Sequence, residues 1–265
     1  MKVKTDLHTH LSERESNNYS ANQVLSLANQ RLGNQGVFGV ANSEWNGDYD
    51  FRYELFLAKC LQELGHNNVE LIGNGNAFYS PKHQIYVIKA QEIEKPEGHL
   101  LVLGLPHGLN VKQKTLENCI QNSIDLNCPI QANHPFFFQG LGPHLREHLE
   151  LLENLNGFEV HNGEAVYGNQ KAKQFFRDLG QHYGLGSTSS SDAHSLSELG
   201  LSYTLLNQPN FQNDSEELNE SLKKVIQEHK DYSEDKQVSN LRGTVVHATK
   251  LITRLALLKF GINLS

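Results

Sequence analysis

An alternation of two periodicities constrains this chain more than any other feature. Short β-like runs at residues 3–7, 37–41, 85–90, 100–103, 130–132, 157–160 and 185–187 take turns with stretches of helical apolar spacing at 22–32, 51–64, 116–127, 145–155 and 169–183. Strand and helix ordered in this way predict βα units around a mainly parallel sheet. A chain of 265 residues is accommodated by one α/β barrel without a second domain. Residues 208–215 read as a polar loop, and 215–229 as a further helix with Glu216 and Glu217 in its first turn. A polar connector at 230–240 leads to an apolar-rich last helix at 244–259. The expected division is therefore a barrel over 1–240 and a C-terminal helix within 241–265, packed on the barrel or at a subunit contact.

Charge and cysteine usage narrow the surroundings. A formal net charge of −7 argues against broad electrostatic capture of nucleic acid, leaving room only for a short nucleic-acid substrate in a local groove. Cys60, Cys119 and Cys128 are scattered and form no C-x-x-C pair, so neither a disulfide framework nor a zinc ribbon is expected, and a reducing cytoplasm fits. No apolar signal core opens the chain and no run is apolar for long enough to span a bilayer, so no membrane partner is expected. The run Phe136-Phe137-Phe138 is read as a buried loop plug.

The unusual count is fourteen histidines. His8 and His10 stand two apart at the end of the first β-like run, where a period of two points both rings to one side and makes a ready pair of metal ligands. Asp192 and His194 repeat that spacing after 185–187, Glu92 follows 85–90, His99 opens 100–103, and His134 follows 130–132. Any one of these alone is more simply a hydrogen-bonded loop residue. Seven together, at the strand ends where parallel barrels assemble their sites, point to a metal centre of mixed imidazole and carboxylate.

The residues Asp6-Leu7-His8-Thr9-His10, Glu92, Gly98-His99-Leu100-Leu101-Val102-Leu103-Gly104, Asn133-His134-Pro135, Phe158-Glu159-Val160 and Ser191-Asp192-Ala193-His194 together resemble the PHP (polymerase and histidinol phosphatase) superfamily, in its motif order, over residues from about 3 to 230. The resemblance implies a distorted seven-stranded β/α (TIM-like) barrel, a metal-dependent phosphoric-ester hydrolase, and a site of two or three divalent ions. It implies that His8, His10 and Asp192 bind one metal, that Glu92 bridges to a second held by His99 and His134, and that His194 belongs to a third position. Glu94 is the rival to Glu92, and Glu159 matches a motif position whose simpler role is to anchor a loop. The chain departs from the family where Ala41-Asn42-Ser43-Glu44 replaces the usual Thr-Asp-His, and where Glu13 or Glu15 stands for an Asp or His. Neutral Asn42 and Ser43 are weak ligands, so two metals are expected rather than three; Glu15 and Glu44 are the residues that would restore the third.

The expected chemistry is hydrolysis of a small phosphomonoester or nucleotide by a hydroxide bridging the metals, with Glu92 fixing their separation and one of His194, Glu44 or Glu15 assisting the water or the leaving oxygen. Mn²⁺, Fe²⁺ or Zn²⁺ suits such ligands. A nuclease of short oligonucleotides and a non-catalytic metal-binding regulatory domain are the alternatives.

Overall fold

The structure, a computed structural model, describes residues 1–11, 19–45, 48–106 and 114–240 together with Val245 and Thr249. Its strands are β1 (Lys2–Thr9), β2 (Gly36–Trp45), β3 (Asp48–Tyr49), β4 (Glu70–Ile72), β5 (Ala77–Ser80), β6 (Ile85–Lys95), β7 (Gly98–Leu103), β8 (Ile130–Ala132), β9 (Gly157–Asn162), β10 (Gly186–Ser190) and β11 (Thr204–Asn207). Its α-helices are α1 (Ala21–Leu32), α2 (Arg52–Leu64), α3 (Leu116–Asp125), α4 (Gly142–Glu147), α5 (Asn169–Phe175) and α6 (Ser215–Glu228). The sheet runs β10-β9-β8-β7-β6-β2-β1-β11, and the segment after β10 returns to β1 through His10 N–H to the Ala193 carbonyl (2.7 Å) and Asp192 N–H to the His8 carbonyl (2.9 Å). The result is a nearly closed barrel with a wall of seven strands, β1, β2 and β6 to β10, each overlapping one of the seven β-like runs of the sequence.

The wall is parallel except at β7, which pairs antiparallel with both β6 and β8. Only Pro96 and Glu97 separate β6 from β7, and so short a link makes a hairpin, never a crossover. The start of β7 therefore lies at the same rim as the end of β6, which is how His99 joins residues from strand C-termini.

Side-chain phase in β1 decides what faces inward. Val3 and Leu7 share an apolar cluster with Val37, Ala41, Ile88, Ala90, Leu101 and Leu103, the lower filling of the barrel. Strict alternation through Leu7 would send His8 and His10 to the outer face. Instead the register slips: Asp6 pairs with Phe38 but Thr9 with Val40, so three steps on β1 match two on β2. This one-residue bulge reverses the phase and turns both histidines inward. Gly39 permits it, because a Cβ there would strike the Leu7 carbonyl where the bulged backbone comes close.

Helices α1 and α2 cover the outer face of β2, with Val24, Leu25, Ala28 and Phe56 packed against Phe38 and Val40. A capping box of Ser20 and Gln23 starts α1. Helix α6, capped by the Asp214 carboxylate, lies across the barrel end opposite the histidines. Its Leu218 and Leu222 join the lower filling, and Gly157, Gly186 and Gly104 sit so near it that a Cβ would meet Ile226 or Asn219. That end is closed.

Some expectations are corrected. The helix expected at 145–155 breaks at His148 (φ −130°, ψ 66°) into α4 and a 3-10 turn, Leu149–Asn154, and that expected at 169–183 passes after Phe175 into a π turn, Phe176–Gly180. Phe136 does pack against the core, but Phe138 is 51 % exposed, so the three phenylalanines are no buried plug. The three cysteines are buried and unpaired. No helix among the described residues is long and apolar enough to cross a membrane. Of the last helix expected at 244–259 only Val245 and Thr249, both helical, are among the described residues, and Glu15 lies outside them.

Candidate metal centre

Above the apolar filling the barrel interior turns polar. His8 and His10 enter from β1, Glu92 from β6, His99 from β7, His134 from the loop after β8, and Asp192 and His194 from the loop after β10. Strand geometry places the first four. His134 (φ 24°) and Asp192 (φ 51°) sit instead in left-handed backbone, which costs a side-chain-bearing residue about 1–3 kcal/mol and persists where neighbours hold it. The neighbours are evident: Glu159 accepts from the His134 N–H (2.6 Å), and Asn162 donates to the Asp192 carboxylate (3.0 Å).

All seven residues come together. His8 Nε2 and His10 Nε2 are 3.0 Å apart, and Glu92 Oε2 is 3.1 Å from His10 Nε2. Glu92 Oε1 is 3.2 Å from both His99 Nδ1 and His134 Nε2 and 3.5 Å from His8 Nε2. Asp192 Oδ1 is 3.5 Å from His8 Nε2 and 3.6 Å from His10 Nε2. Three overlapping groups able to hold an ion result: His8, His10 and Glu92; Glu92, His99 and His134; and His10, Asp192 and His194. Glu92 is common to the first two.

The donor set fits metal ions. A cation about 2.0–2.2 Å from each donor brings neighbouring donors to roughly 3.0–3.5 Å, the spacing found here. Asp192 Oδ1 is buried and makes no hydrogen bond among the described residues. A carboxylate oxygen so placed costs folding energy unless a cation meets it.

Electrostatics tell the same story. Burial lowers the pKa of His8, but the carboxylates of Asp192 and Glu92 outweigh it and hold the imidazole well above its ordinary value. Burial raises Glu92, yet His99, His8 and His10 bring it well below the carboxylate range, and His8, His194 and His10 do the same for Asp192. His134 is raised against burial by Glu92. His10 is pushed down to about 3, chiefly by burial. His194 loses to burial but gains more from Glu164 and Asp192, and rises to about 9. In the absence of a cation, protons take its place among the carboxylates.

Around these groups stand further residues, of which only Glu159 has a role in the sequence reading, that of anchoring a loop. Glu159 accepts from His134 N–H and so pins the loop that carries it, and its other oxygen lies 3.5 Å from His8 Nδ1. Asn133 donates to Glu92 (3.3 Å). Glu164 stands 3.5 Å from His194 Nδ1; its signal was its place in His161-Asn162-Gly163-Glu164 at the end of β9. Arg52 reaches His10 Nδ1 at 2.7 Å from the start of α2, with no signal in the sequence to announce it. His161 is buried but stands in none of the three groups. Asn42 is no ligand: it faces α2, accepting from Tyr53 N–H (2.7 Å) and donating to Glu54 (3.0 Å), while Ser43 Oγ faces His10 Nδ1 at 3.4 Å. Glu44, next to last in β2, pairs with Tyr49, and its side chain lies outside the described residues.

Asp6, beneath the histidines, accepts from Ser191 N–H (2.9 Å), Ser191 Oγ–H (2.6 Å) and Gly200 N–H (2.8 Å), tying β1 to the loop that carries Asp192. Its complete burial pushes its pKa up to about 7 against those bonds and the nearby His8. Asp6→Ala strands these donors and is expected to cost about 2–4 kcal/mol. Denaturant unfolding of the metal-free protein measures this, and an unchanged midpoint would show that the tie carries no stability.

The fold is that of the PHP-type barrels. A family model described as PHP-associated matches residues 167–225. Among solved structures, the chain is similar to a two-domain protein from Bacteroides vulgatus containing a predicted PHP-like metal-dependent phosphoesterase (TM-score 0.55, 17 % identity, 85 % of this chain and 64 % of that one). It is similar to PsfC from Pseudomonas syringae (TM-score 0.58, 15 % identity, 97 % and 99 %) and to a lesion-specific endonuclease from Pyrococcus furiosus (TM-score 0.54, 16 % identity, 86 % and 56 %). The chain thus spans less than two thirds of the Bacteroides and Pyrococcus proteins. No curated protein sequence matches it. The PHP resemblance read from the sequence motifs stands, in the barrel and in the PHP-associated segment.

Proposed function

We propose that the chain is a metal-dependent phosphoesterase that holds one divalent ion with His8, His10, Asp192 and Glu92 and a second with Glu92, His99 and His134. The observation that carries this reading is the position of Glu92, one carboxylate within 3.1–3.5 Å of four imidazole nitrogens. When bound, such ions would supply Lewis-acid polarisation of a phosphoryl group and a lowered pKa for a bound water. The protein's own part is positioning. Glu92 sets the separation, and Glu159 holds His8 with Nδ1 protonated so that Nε2 offers its lone pair. His194 donates from Nδ1 to the Asp192 carbonyl (2.9 Å), which leaves Nε2 to pass a proton to the leaving oxygen. At 32 % side-chain exposure His194 is the most open of the seven, on the side from which substrate arrives.

A small phosphomonoester or nucleotide is the preferred substrate class. A solved relative, endonuclease Q, is a complex with duplex DNA bearing an abasic lesion, but this chain covers 56 % of it and carries a net charge of −7. Hydrolysis of an aryl phosphate with added Mn²⁺ tests the reading against a chelated sample and a His8→Ala His10→Ala double variant. Activity confined to the metal-loaded wild type is expected. A chelated sample that kept its full rate would sink it, and a loaded wild type inert towards every phosphoester would favour the regulatory alternative.

A further inference from the structure

The contacts of Arg52 assign it a part that the metal-ligand motifs do not contain. Hydrogen bonds between Ser43 N–H and the Asp50 carboxylate (2.9 Å) and between Asp50 N–H and the Ser43 carbonyl (3.2 Å) close the hairpin of β2 and β3 at its base. Asp50 then holds the Nε edge of Arg52 at 2.5 Å. The guanidinium is thereby aimed at the centre, one terminal nitrogen 2.7 Å from His10 Nδ1. His10 belongs to both the first and the third of the ion-holding groups, and Asp192, in the third, is given to the first ion in the reading proposed above. Asn42 turns away to hold α2, so the stretch 41–44 brings no carboxylate or imidazole among its described side chains. What that stretch and its hairpin do bring is a permanent cation.

Exposure shows which way it faces. His8 and His10 are 0 % and 2 % exposed at the side chain, against 20 % for Arg52 and 32 % for His194, so guanidinium and imidazole flank the open side of an otherwise buried cluster. A guanidinium only donates, which makes His10 Nδ1 the acceptor in this contact. An imidazole that gives its Nε2 lone pair to a metal carries its proton on Nδ1, so this contact and metal ligation exclude one another. Arg52, still gripped by Asp50, then has a terminal N–H to turn towards an incoming oxyanion.

We propose that Arg52 binds the substrate's phosphoryl oxygens, so that this centre pairs two metal ions with one guanidinium where three ions would otherwise stand. The inference rests on the phosphoesterase reading. Planar N–H donors match phosphate oxygens in pairs, and one such charge-assisted contact is worth about 10- to 100-fold in affinity or rate.

The test uses the full chain loaded with Mn²⁺, its metal content measured by elemental analysis. Inorganic phosphate binding is followed by calorimetry and aryl phosphate hydrolysis by steady-state kinetics, for wild type, Arg52→Ala and Arg52→Lys. Two ions per chain are expected in all three proteins. Phosphate affinity and kcat/KM should fall about 10- to 100-fold in Arg52→Ala and recover in part in Arg52→Lys. Wild-type binding of phosphate by Arg52→Ala would overturn the proposal, as would three tightly held ions in the wild type. A loss of metal in Arg52→Ala would also overturn it, by making Arg52 a support for His10. A loaded wild type that neither binds phosphate nor turns over ester would instead overturn the phosphoesterase reading itself.

Discussion

Glu92→Gln should lower the metal content from two ions per chain to one or none and reduce phosphoester hydrolysis by at least about a thousandfold, while the barrel stays folded. The substitution keeps the size of a side chain that is 7 % exposed, and it removes the charge on which four imidazoles converge. Both ion-holding groups that contain Glu92 lose their only carboxylate, whereas the His10, Asp192 and His194 group keeps its own. Elemental analysis beside far-ultraviolet circular dichroism separates loss of metal from loss of fold. A variant with two ions and near-normal turnover would mean that Glu92 does not bridge them, and the rival Glu94 would have to be reconsidered.

Metal affinity should climb steeply as pH rises from 6 to 9. The sign follows from the metal-free protein, in which His8, His134 and His194 have raised pKa values, that of His194 about 9, while Glu92 and Asp192 are held low. Near neutrality the ligands His8 and His134 hold protons that a metal must displace, at roughly one proton per ion, and each proton makes affinity up to tenfold stronger per pH unit, while His194, a ligand of neither ion, bears only on the stability. His10, depressed to about 3, adds nothing to the slope. Stability of the metal-free protein should run the other way. Groups with raised pKa stabilise fully below the unfolded value, about 6.5 for His, and that stabilisation is lost as pH rises through the folded value. The low carboxylates stabilise above about pH 4 and change nothing in this window. Calorimetric titration with Mn²⁺ in buffers of different ionisation enthalpy counts the protons, and thermal melts follow the stability. Binding with no proton release, or a metal-free protein whose melting point does not fall between pH 7 and 9, would contradict this account.

The strand ends make most of the candidate centre legible in the sequence. His8, His10, Glu92, His99, His134, Asp192 and His194 were all singled out because periodicity locates strand termini and imidazole beside carboxylate is a rare combination there. Nothing local showed how they face inward. The β1 bulge depends on how β1 and β2 pair, a contact some thirty residues away, and alternation alone would have sent the histidines outward. The left-handed turn at Asp192 is likewise held by bonds to His8 and Asn162 rather than by its own sequence. Hairpin β4–β5 and strand β11 lie outside the seven β-like runs of the sequence. Arg52 was invisible for a different reason: an arginine opening a helix reads as a solvated residue until the β2–β3 hairpin is seen to swing it over the site.

Helix α6, laid over the far end of the barrel, makes the way to the candidate metal centre a blind alley among the described residues. A polymer would have to present a terminus or a flipped-out nucleotide, whereas a small ester can descend whole. On the phosphoesterase reading, whatever enters must also back out, so alcohol and phosphate would leave past His194 and Arg52, and the group that held the phosphate on arrival would be the last to release it.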